Sequence, residues 1–219
     1  DSLCAATATI AVSQPTQVLV SGVVTSVSCF GGSNGAIDIT ASQGTPGYTY
    51  NWSNTSTSED VNSLTQGSYQ VTVSDLNSCT QTATFTVNQP QVLALNPPVI
   101  VNVSCFGGSN GQITSSATGG TGSYTYSWTP ANSGSTISAL SSGSYAVTVT
   151  DVNSCSASAT YAVTEPANAV SFSNPTITDL LCNGVPTGSI SVSASGGTGA
   201  ISYSWSHNAS LQSSIAQNL

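Results

Sequence analysis

The residues of this sequence that could carry out chemistry are few, and their types restrict the reactions open to it. The 219 residues include six cysteines, one histidine and eight acidic side chains, but neither lysine nor arginine. Nucleophilic catalysis needs a nucleophile and a base within hydrogen-bonding reach of each other. A single histidine, without lysine, offers few such pairs, so we expect no enzymatic activity.

Two places invite a catalytic interpretation. Glu59 and Asp60 are neighbouring carboxylates, as a glycosidase requires, and His207 is the one imidazole. The sequence repeats itself, as described below, and the counterparts of these residues carry no such groups: Gly134, Ser135, Asn54 and Pro130. We therefore interpret all three as solvated loop residues.

A metal site is the next candidate. Asp75 and Asn77, and again Asp151 and Asn153, place oxygen atoms two residues apart at a predicted turn, and Ca²⁺ binds such oxygen ligands. Asp and Asn in tight turns more often accept hydrogen bonds from their own backbone as Asx turns. Asx turns are the favoured interpretation, calcium is the alternative, and no cofactor is expected.

The cysteines lie at positions 4, 29, 79, 105, 155 and 182, without C-x-x-C pairs. This pattern is typical of disulfides in an oxidising, extracytoplasmic setting. One register pairs Cys29 with Cys79 and Cys105 with Cys155, and leaves Cys4 and Cys182 with partners outside this sequence. The other pairs positions 4–29, 79–105 and 155–182. We favour the first, because an alternating count of strands puts both members of each pair at one end of a module.

The elements that position these residues belong to a repeat. The stretch from Cys29 to Trp52 returns from Cys105 to Trp128, and a divergent copy occupies residues 182–205, with spacings of 76 and 77 positions. A fixed period of this kind indicates an array of equivalent modules. We predict the last strand of a preceding module at 1–15, complete modules at 16–90 and 91–166, and a truncated module at 167–219.

Alternating apolar residues predict six strands in the first complete module, at 18–28, 36–42, 48–52, about 61–64, 69–73 and 79–87. We expect a bulge or a change of sheet at Gly22 and a positive-φ turn at Asn34-Gly35. The pattern L-x-x-G-x-Y at 64–69 and 140–145 is typical of a tyrosine corner. With Trp52 on the third strand, it predicts an all-β fold of tandem Ig-like or fibronectin-III-like β-sandwich modules.

Three aromatic residues, Tyr48, Tyr50 and Trp52, alternate onto one face of the third strand. Such a row can form part of a core or a platform for stacking sugars. The third copy replaces the first tyrosine by Ile201, a change that a core tolerates better. We favour the core, and an array of carbohydrate-binding modules remains the alternative function.

Charge and hydropathy exclude several partners. The net charge is −8, and only 4% of the residues are charged. Without cations the chain cannot neutralise phosphates, so nucleic acid is not expected as a partner, and no stretch approaches the ~20 apolar residues of a membrane span.

Because the sequence starts at Asp1, we interpret it as a window onto a longer mature protein. Four N-x-S/T patterns are candidate glycosylation sites: Asn51, Asn54, Asn102 and Asn208.

Taken together, these motifs resemble SprB-type repeats, which occur in large cell-surface adhesins of Bacteroidetes, including gliding-motility adhesins. The family pattern C-x-G-x-x-x-G-x-I, G-G-T-x-x-Y-x-Y-x-W and L-x-x-G-x-Y-x-V-x-V-x-D-x-x-x-C follows the first two modules closely, and the third departs at Pro186 and Ile201. The resemblance implies export to the bacterial cell surface through type IX secretion and a role as a stalk or filament. It identifies no ligand.

We therefore expect a structural or adhesive extracellular protein, a segment of a bacterial surface filament or adhesin stalk built from disulfide-stapled sandwiches. Its expected partners are neighbouring modules of the same long chain or further copies of it, with surface glycans as the alternative.

Overall fold

A computed structural model describes residues 6–184 and 186–219, and the secondary structure of those residues is β-strand without helix. Residues 6–18 form no strand, and Cys4 lies outside the described residues. The assignment of 1–15 to a preceding module stays a prediction, as do the other module boundaries. The chain divides into two compact units, one of Asp1–Leu93 with Gly119–Thr121 and one of Ala94–Thr118 with Gly122–Leu219.

The first module contains six strands, close to the six predicted. They are β1 (Leu19–Thr25), β2 (Gly35–Ser42), β3 (Thr49–Trp52), β4 (Val61–Leu64), β5 (Gly67–Ser74) and β6 (Thr80–Val87). They form two three-stranded sheets in the orders β1-β2-β4 and β3-β5-β6, and every neighbouring pair is antiparallel. These orders correspond to the A-B-E and C-F-G sheets of immunoglobulin-type sandwiches.

The inner faces of these two sheets supply one hydrophobic core. Its buried side chains come from alternate positions of the strands: Ile37, Ile39, Trp52, Val61, Leu64, Val71, Val73 and Val87. Alternate residues of a strand point to one face, so the period-2 pattern of the sequence accounts for this core. Each fully buried aliphatic side chain contributes about 1.5–3 kcal/mol to folding.

Two expectations about glycines are wrong. Gly22 lies in an unbroken register opposite Ile39 rather than in a bulge, and a Cβ there would lie 2.9 Å from the ring of Phe85. Close packing, rather than a kink, requires this glycine. Gly35 begins β2, and a Cβ there would lie 2.6 Å from the side chain of Val87. The positive φ of the preceding turn is at Gly31 instead.

The tyrosine corner is confirmed in both complete modules. The hydroxyl of Tyr69 donates to the carbonyl oxygen of Thr65 at 3.0 Å, and that of Tyr145 donates to the carbonyl oxygen of Ser141 at 2.9 Å. Each bond ties the start of a central strand to the segment that enters it.

The second module repeats this arrangement with interruptions. Its strands are β7 (Gln91–Leu95), β8 (Val99–Val101), β9 (Gly111–Thr114), β10 (Ala117–Gly120), β11 (Thr125–Thr129), β12 (Asn132–Ser133), β13 (Thr136–Leu140), β14 (Gly143–Thr150) and β15 (Ser156–Val163). The sheets have the orders β13-β9-β8 and β12-β11-β14-β15, and β10 pairs with β7. Pro97 and Pro98 separate β7 from β8, because proline donates no hydrogen bond to a ladder.

The third module is smaller. It contains β16 (Ser171–Phe172), β17 (Thr176–Thr178), β18 (Ser189–Ser191), β19 (Ala194–Ser195) and β20 (Ile215–Gln217), in sheets β17-β18-β20 and β16-β19. Trp205 of this module is half-buried.

Candidate functional site

The tryptophan at the end of the aromatic row lies in the core of both complete modules. Trp52 and Trp128 are each 2% exposed. The indole N–H of Trp52 donates to the carbonyl oxygen of Ser58 at 2.9 Å, and that of Trp128 donates to the carbonyl oxygen of Gly134 at 3.0 Å. A sugar cannot stack on an indole that is covered by protein, so the core interpretation is confirmed for these two residues.

Glu59 and Asp60 bind neighbouring strands instead of facing each other across a cleft. The hydroxyl of Tyr50 donates to Oε1 of Glu59 at 2.9 Å, and the backbone N–H of Ile39 donates to Oδ1 of Asp60 at 2.9 Å. Burial, followed by the hydrogen bond and charge of Glu59 and the charge of Asp60, raises the pKa of Tyr50 to about 12. These hydrogen bonds indicate a structural role for the carboxylates of Glu59 and Asp60.

His207 follows Trp205 in an exposed turn. Its ring meets the indole of Trp205 edge-on, with ring centroids 6.0 Å apart. No group of three or more His, Cys, Asp or Glu side chains that could hold a metal ion occurs among the described residues.

The Asp75 turn is a hydrogen-bonded structure with three backbone donors. Oδ1 of Asp75 accepts from the N–H of Asn77 at 2.9 Å and of Cys79 at 2.8 Å. Oδ2 accepts from the N–H of Thr45 at 3.0 Å, and the side-chain amide of Asn77 donates to Oγ1 of Thr45 at 2.7 Å. The hydrogen bond from Thr45 is the largest of the effects that hold the pKa of Asp75 below its usual range; those from Cys79 and Asn77 add to it, and burial opposes them.

The second module builds the same turn. Oδ1 of Asp151 accepts from the N–H groups of Asn153 and Cys155, each at 2.9 Å, and both Asp75 and Asp151 are buried. The geometry is that of an Asx turn. Calcium binding at these turns stays a prediction, and the N–H donors around the Asp75 carboxylate argue against it.

The participation of Thr45 in this turn was not predicted from the sequence. The sequence does contain a recurring Gly-Thr pair that marks this position, at Gly44-Thr45, Gly120-Thr121 and Gly197-Thr198. It lies about thirty positions from the Asp-x-Asn motif, and only the fold brings the two together.

The cysteines contradict both predicted disulfide registers. Cys29 and Cys155 are each disulfide-bonded, whereas Cys79, Cys105 and Cys182 are exposed thiols. The favoured pairs Cys29–Cys79 and Cys105–Cys155 are therefore absent. The alternative pairs at 79–105 and 155–182 are absent as well, and the pair at 4–29 involves a residue outside the described part.

The geometry of the first module explains the error. Next to Cys29, the N–H of Val27 donates to the carbonyl oxygen of Asn88 at 2.8 Å, just after the last residue of β6. Cys79 immediately precedes the first residue of β6. Eight residues of strand separate the two ends by about 25 Å, whereas a disulfide needs Cα atoms within about 7 Å.

The second module shows the same separation. The N–H of Val103 donates to the carbonyl oxygen of Thr164 at 2.9 Å, and the N–H of Gly107 donates to Oε2 of Glu165 at 2.6 Å. Cys105 thus lies at the end of β15, and Cys155 lies before its start. The first and second cysteines of a module occupy its opposite ends.

The surface carries features that remain predictions. The four candidate glycosylation residues are all exposed: Asn51, Asn54, Asn102 and Asn208. Three of them accept a backbone hydrogen bond through the side-chain oxygen, as Asn102 does from the N–H of Thr164 at 3.0 Å.

The part of the chain that the structure describes has no helix long and apolar enough to cross a bilayer.

Comparison with protein families gives one match. The SprB repeat model matches residues 21–57, 98–133 and 174–210, one segment in each module and half of the chain in total. The matched segments run from the first strand to just beyond the tryptophan of each module. The suspected resemblance is thus confirmed. No curated protein sequence matches the chain.

Two solved structures overlay on this chain. One holds the N-terminal eight Ig domains of Down Syndrome Cell Adhesion Molecule isoform 1.30.30, at 18% identity over 76% of this chain and 25% of that one. The other holds domains 4–9 of surface layer protein SbsC, at 14% identity over 83% of this chain and 36% of that one. Both have a TM-score of 0.30. This chain spans about a quarter of the length of the first and about a third of the length of the second.

Proposed function

Since this chain belongs to the SprB repeat family, we propose that it is a structural segment of an extracellular bacterial surface filament. In this proposal each module spaces the next, and further copies of the chain pack against it. Export by type IX secretion is part of the same proposal.

The observation that carries the proposal is that the candidate chemical groups serve the fold. Trp52 is covered by the second sheet, Asp75 accepts three backbone hydrogen bonds, and Glu59 accepts from Tyr50. Residues that an enzyme would direct into a cleft here hold strands and turns together. A module built in this way is suited to bear force rather than to turn over a substrate.

Self-association is supported by the character of the surface. Only 4% of the residues are charged, whereas a typical soluble domain has about 25%. Val23 on β1 is 72% exposed, Val99 on β8 is 67% exposed, and Phe172 on β16 is 69% exposed. Edge strands with few charges are prone to pair with other chains, so lateral contacts between modules are favoured over a lone solvated stalk.

Electron microscopy of the purified chain tests this function. We expect ordered fibres whose axial repeat is a whole number of modules. Isolated, flexible strings at the same protein concentration would contradict assembly into a filament and would leave the solvated stalk as the remaining structural role. A variant with Val23→Lys and Val99→Lys is expected to shorten or abolish the fibres, while Asn54→Lys, which adds a cation in an exposed turn, serves as the matched control.

A further inference from the structure

A groove opens on the surface of the second module, beside the aromatic row that ends at Trp128. It has a volume of about 380 Å³ and is lined by Tyr124, Thr125, Tyr126, Ser133, Gly134 and Ser135. Sites for small molecules typically have about 300–1,000 Å³. β12 pairs with β11 at Ser127 and Trp128, so the groove lies beside the part of β11 that precedes this pairing. All six lining residues belong to one compact unit.

The β11 segment gives the groove two aromatic rings. Tyr124 and Tyr126 are half-buried, whereas Trp128, the last member of the row, is covered by protein. The backbone N–H of Ala117 hydrogen-bonds to the phenol oxygen of Tyr126 and holds that ring in place. A tyrosine ring that is fixed and partly exposed offers a flat apolar face to a ligand at little further cost in conformational entropy.

The segment 133–135 gives the groove two exposed hydroxyl groups. The side-chain hydroxyls of Ser133 and Ser135 make no hydrogen bond within the described part of the chain, and each can donate one hydrogen bond and accept others. The backbone behind them is anchored. The carbonyl oxygen of Gly134 accepts from the indole N–H of Trp128 at 3.0 Å, and that of Ser135 accepts from the N–H of Ser115 at 2.8 Å.

The first module fills the equivalent place with one of its own side chains. Glu59 stands at the position of Ser135, and its Oε1 accepts from the hydroxyl of Tyr50 at 2.9 Å. Tyr50 is the counterpart of Tyr126. A serine side chain is too short to reach the tyrosine hydroxyl in this way. The second module therefore keeps the tyrosines and lacks the carboxylate that covers them in the first.

The lining of the groove selects a class of ligand. Its six residues are uncharged, and the whole chain has a net charge of −8 without lysine or arginine. An anionic ligand would meet no cation and would be repelled by the chain, and a cationic ligand would meet no carboxylate in the groove. A neutral sugar presents C–H faces that pack on tyrosine rings and hydroxyls that pair with serine hydroxyls.

We propose that this groove binds a neutral saccharide. Tyr124 and Tyr126 stack on one face of a pyranose ring. The hydroxyls of Ser133 and Ser135 hydrogen-bond to the hydroxyl groups of the sugar. The third module has Ile201 in place of the first tyrosine, so the uncovered pair of tyrosines belongs to the second module. The site gives the chain an adhesive role that does not depend on assembly into a filament.

NMR titration of the full chain tests this site. Chain that carries ¹³C-labelled tyrosine is titrated at millimolar concentration with cellohexaose, maltohexaose, mannohexaose and xylohexaose, and with hexagalacturonate as the anionic comparison. We expect a neutral probe to shift the ring resonances of Tyr124 and Tyr126 in a saturable manner, and those of Tyr48 and Tyr50 to stay unchanged. The absence of a saturable shift with every neutral probe would overturn the proposal. Equal shifts in both modules, or equal binding of hexagalacturonate, would overturn it as well.

A variant that fills the groove tests its location. Ser135→Glu introduces the side chain that the first module has at this position and is expected to weaken binding of the responding probe by about tenfold or more. Ser127→Glu adds the same charge at an exposed position of β11 outside the groove and is the matched control, with an unchanged Tm showing that both variants are folded. Equal affinities for Ser135→Glu and the unaltered chain would overturn the proposal.

The reverse variant tests the role of the covering carboxylate. Glu59→Ser is expected to make the ring resonances of Tyr48 and Tyr50 respond to the same probe, because it opens the equivalent place in the first module. No response there would overturn the role assigned to Glu59. Fibre formation by Ser135→Glu is expected to be unchanged under the electron microscope, so failure of the saccharide site and failure of the filament are distinguishable.

Discussion

The carboxylate of Asp75 accepts a hydrogen bond from the backbone N–H of Thr45 at 3.0 Å and so joins two turns that lie 30 positions apart. The same carboxylate closes its own turn through Asn77 and Cys79. One buried side chain therefore fixes the end of the module from which the second cysteine emerges.

This hydrogen bonding of Asp75 predicts that the thermal stability of the protein depends on pH in the acidic range. Hydrogen bonds, led by that from Thr45, keep the pKa of Asp75 below its usual range. The stabilisation is therefore complete above the ordinary Asp pKa of about 4 and is lost as the pH falls through the lower value of the folded state. We expect Asp75→Asn to lower the Tm at neutral pH and to reduce the further fall of the Tm below about pH 4.

Differential scanning calorimetry over a series of pH values measures both effects. Asp38→Asn, at an exposed position of β2, is the control and is expected to leave the Tm at neutral pH nearly unchanged. Equal pH profiles for Asp75→Asn and the unaltered chain would contradict the role of the carboxylate.

The tyrosine corner supports a second prediction. Tyr69→Phe removes the hydroxyl that donates to Thr65 and is expected to lower the free energy of unfolding by about 1 kcal/mol. Tyr145→Phe should cost a similar amount, because its hydroxyl makes the equivalent bond to Ser141. Urea denaturation measures both changes. Tyr161→Phe is the control, since the hydroxyl of Tyr161 has no hydrogen-bond partner among the described residues. If Tyr161→Phe lowered the free energy of unfolding as much as Tyr69→Phe does, the stabilising role of the tyrosine corner would be contradicted.

The local features of the fold could be predicted from the sequence because each depends on neighbouring residues. Alternation placed Ile37 and Ile39 in the core, and the L-x-x-G-x-Y pattern located the corner at Tyr69. Gly22 was misjudged, since a glycine that is needed for close packing looks the same in a sequence as one that is needed for a bulge. What distinguishes the two is the ring of Phe85, 63 positions away.

The disulfide register could not be predicted, because it depends on the directions of the strands. β1 and β4 both run antiparallel to β2, and β3 and β6 both run antiparallel to β5. The ends of β1 and β6 lie together near Val27 and Asn88, so β3 and β4 run in the same direction. Residues 53–60 must therefore carry the chain back along the module. An alternating count of strands omits this crossover and puts Cys79 at the wrong end.

An unsatisfied hydroxyl in the second module gives a third prediction. Ser115 is 2% exposed, and its Oγ has no hydrogen-bond partner in the part of the chain that the structure describes. The counterpart in the first module is Ile39, a core residue. Ser115→Ala removes a buried polar group and is expected to raise the free energy of unfolding by about 1 kcal/mol.

Urea denaturation tests this gain. Ser127→Ala, at an exposed position of β11, is the control and should change stability by less than about 0.5 kcal/mol. Destabilisation by Ser115→Ala would show that the hydroxyl has a partner, such as a buried water molecule.

The contact between Tyr50 and Glu59 predicts the behaviour of the first module in alkali. Burial and the neighbouring carboxylates raise the pKa of Tyr50 to about 12, whereas an unfolded tyrosine titrates near 10. The stability that Tyr50 contributes is thus complete below about pH 10 and is lost as the pH rises towards the folded-state value. Glu59→Gln removes one charge and is expected to move the pKa of Tyr50 back towards 10, without restoring it fully, because burial remains the largest cause.

Selective ¹³C labelling of tyrosine allows Tyr50 to be followed by NMR through its Cζ resonance as the pH rises. Tyr126, the counterpart in the second module, is the internal control. Its pKa is raised chiefly by burial, without a glutamate partner, so Glu59→Gln should leave its titration unchanged. A shift at both tyrosines would indicate a global loosening of the structure, and no shift at Tyr50 would contradict the contact with Glu59.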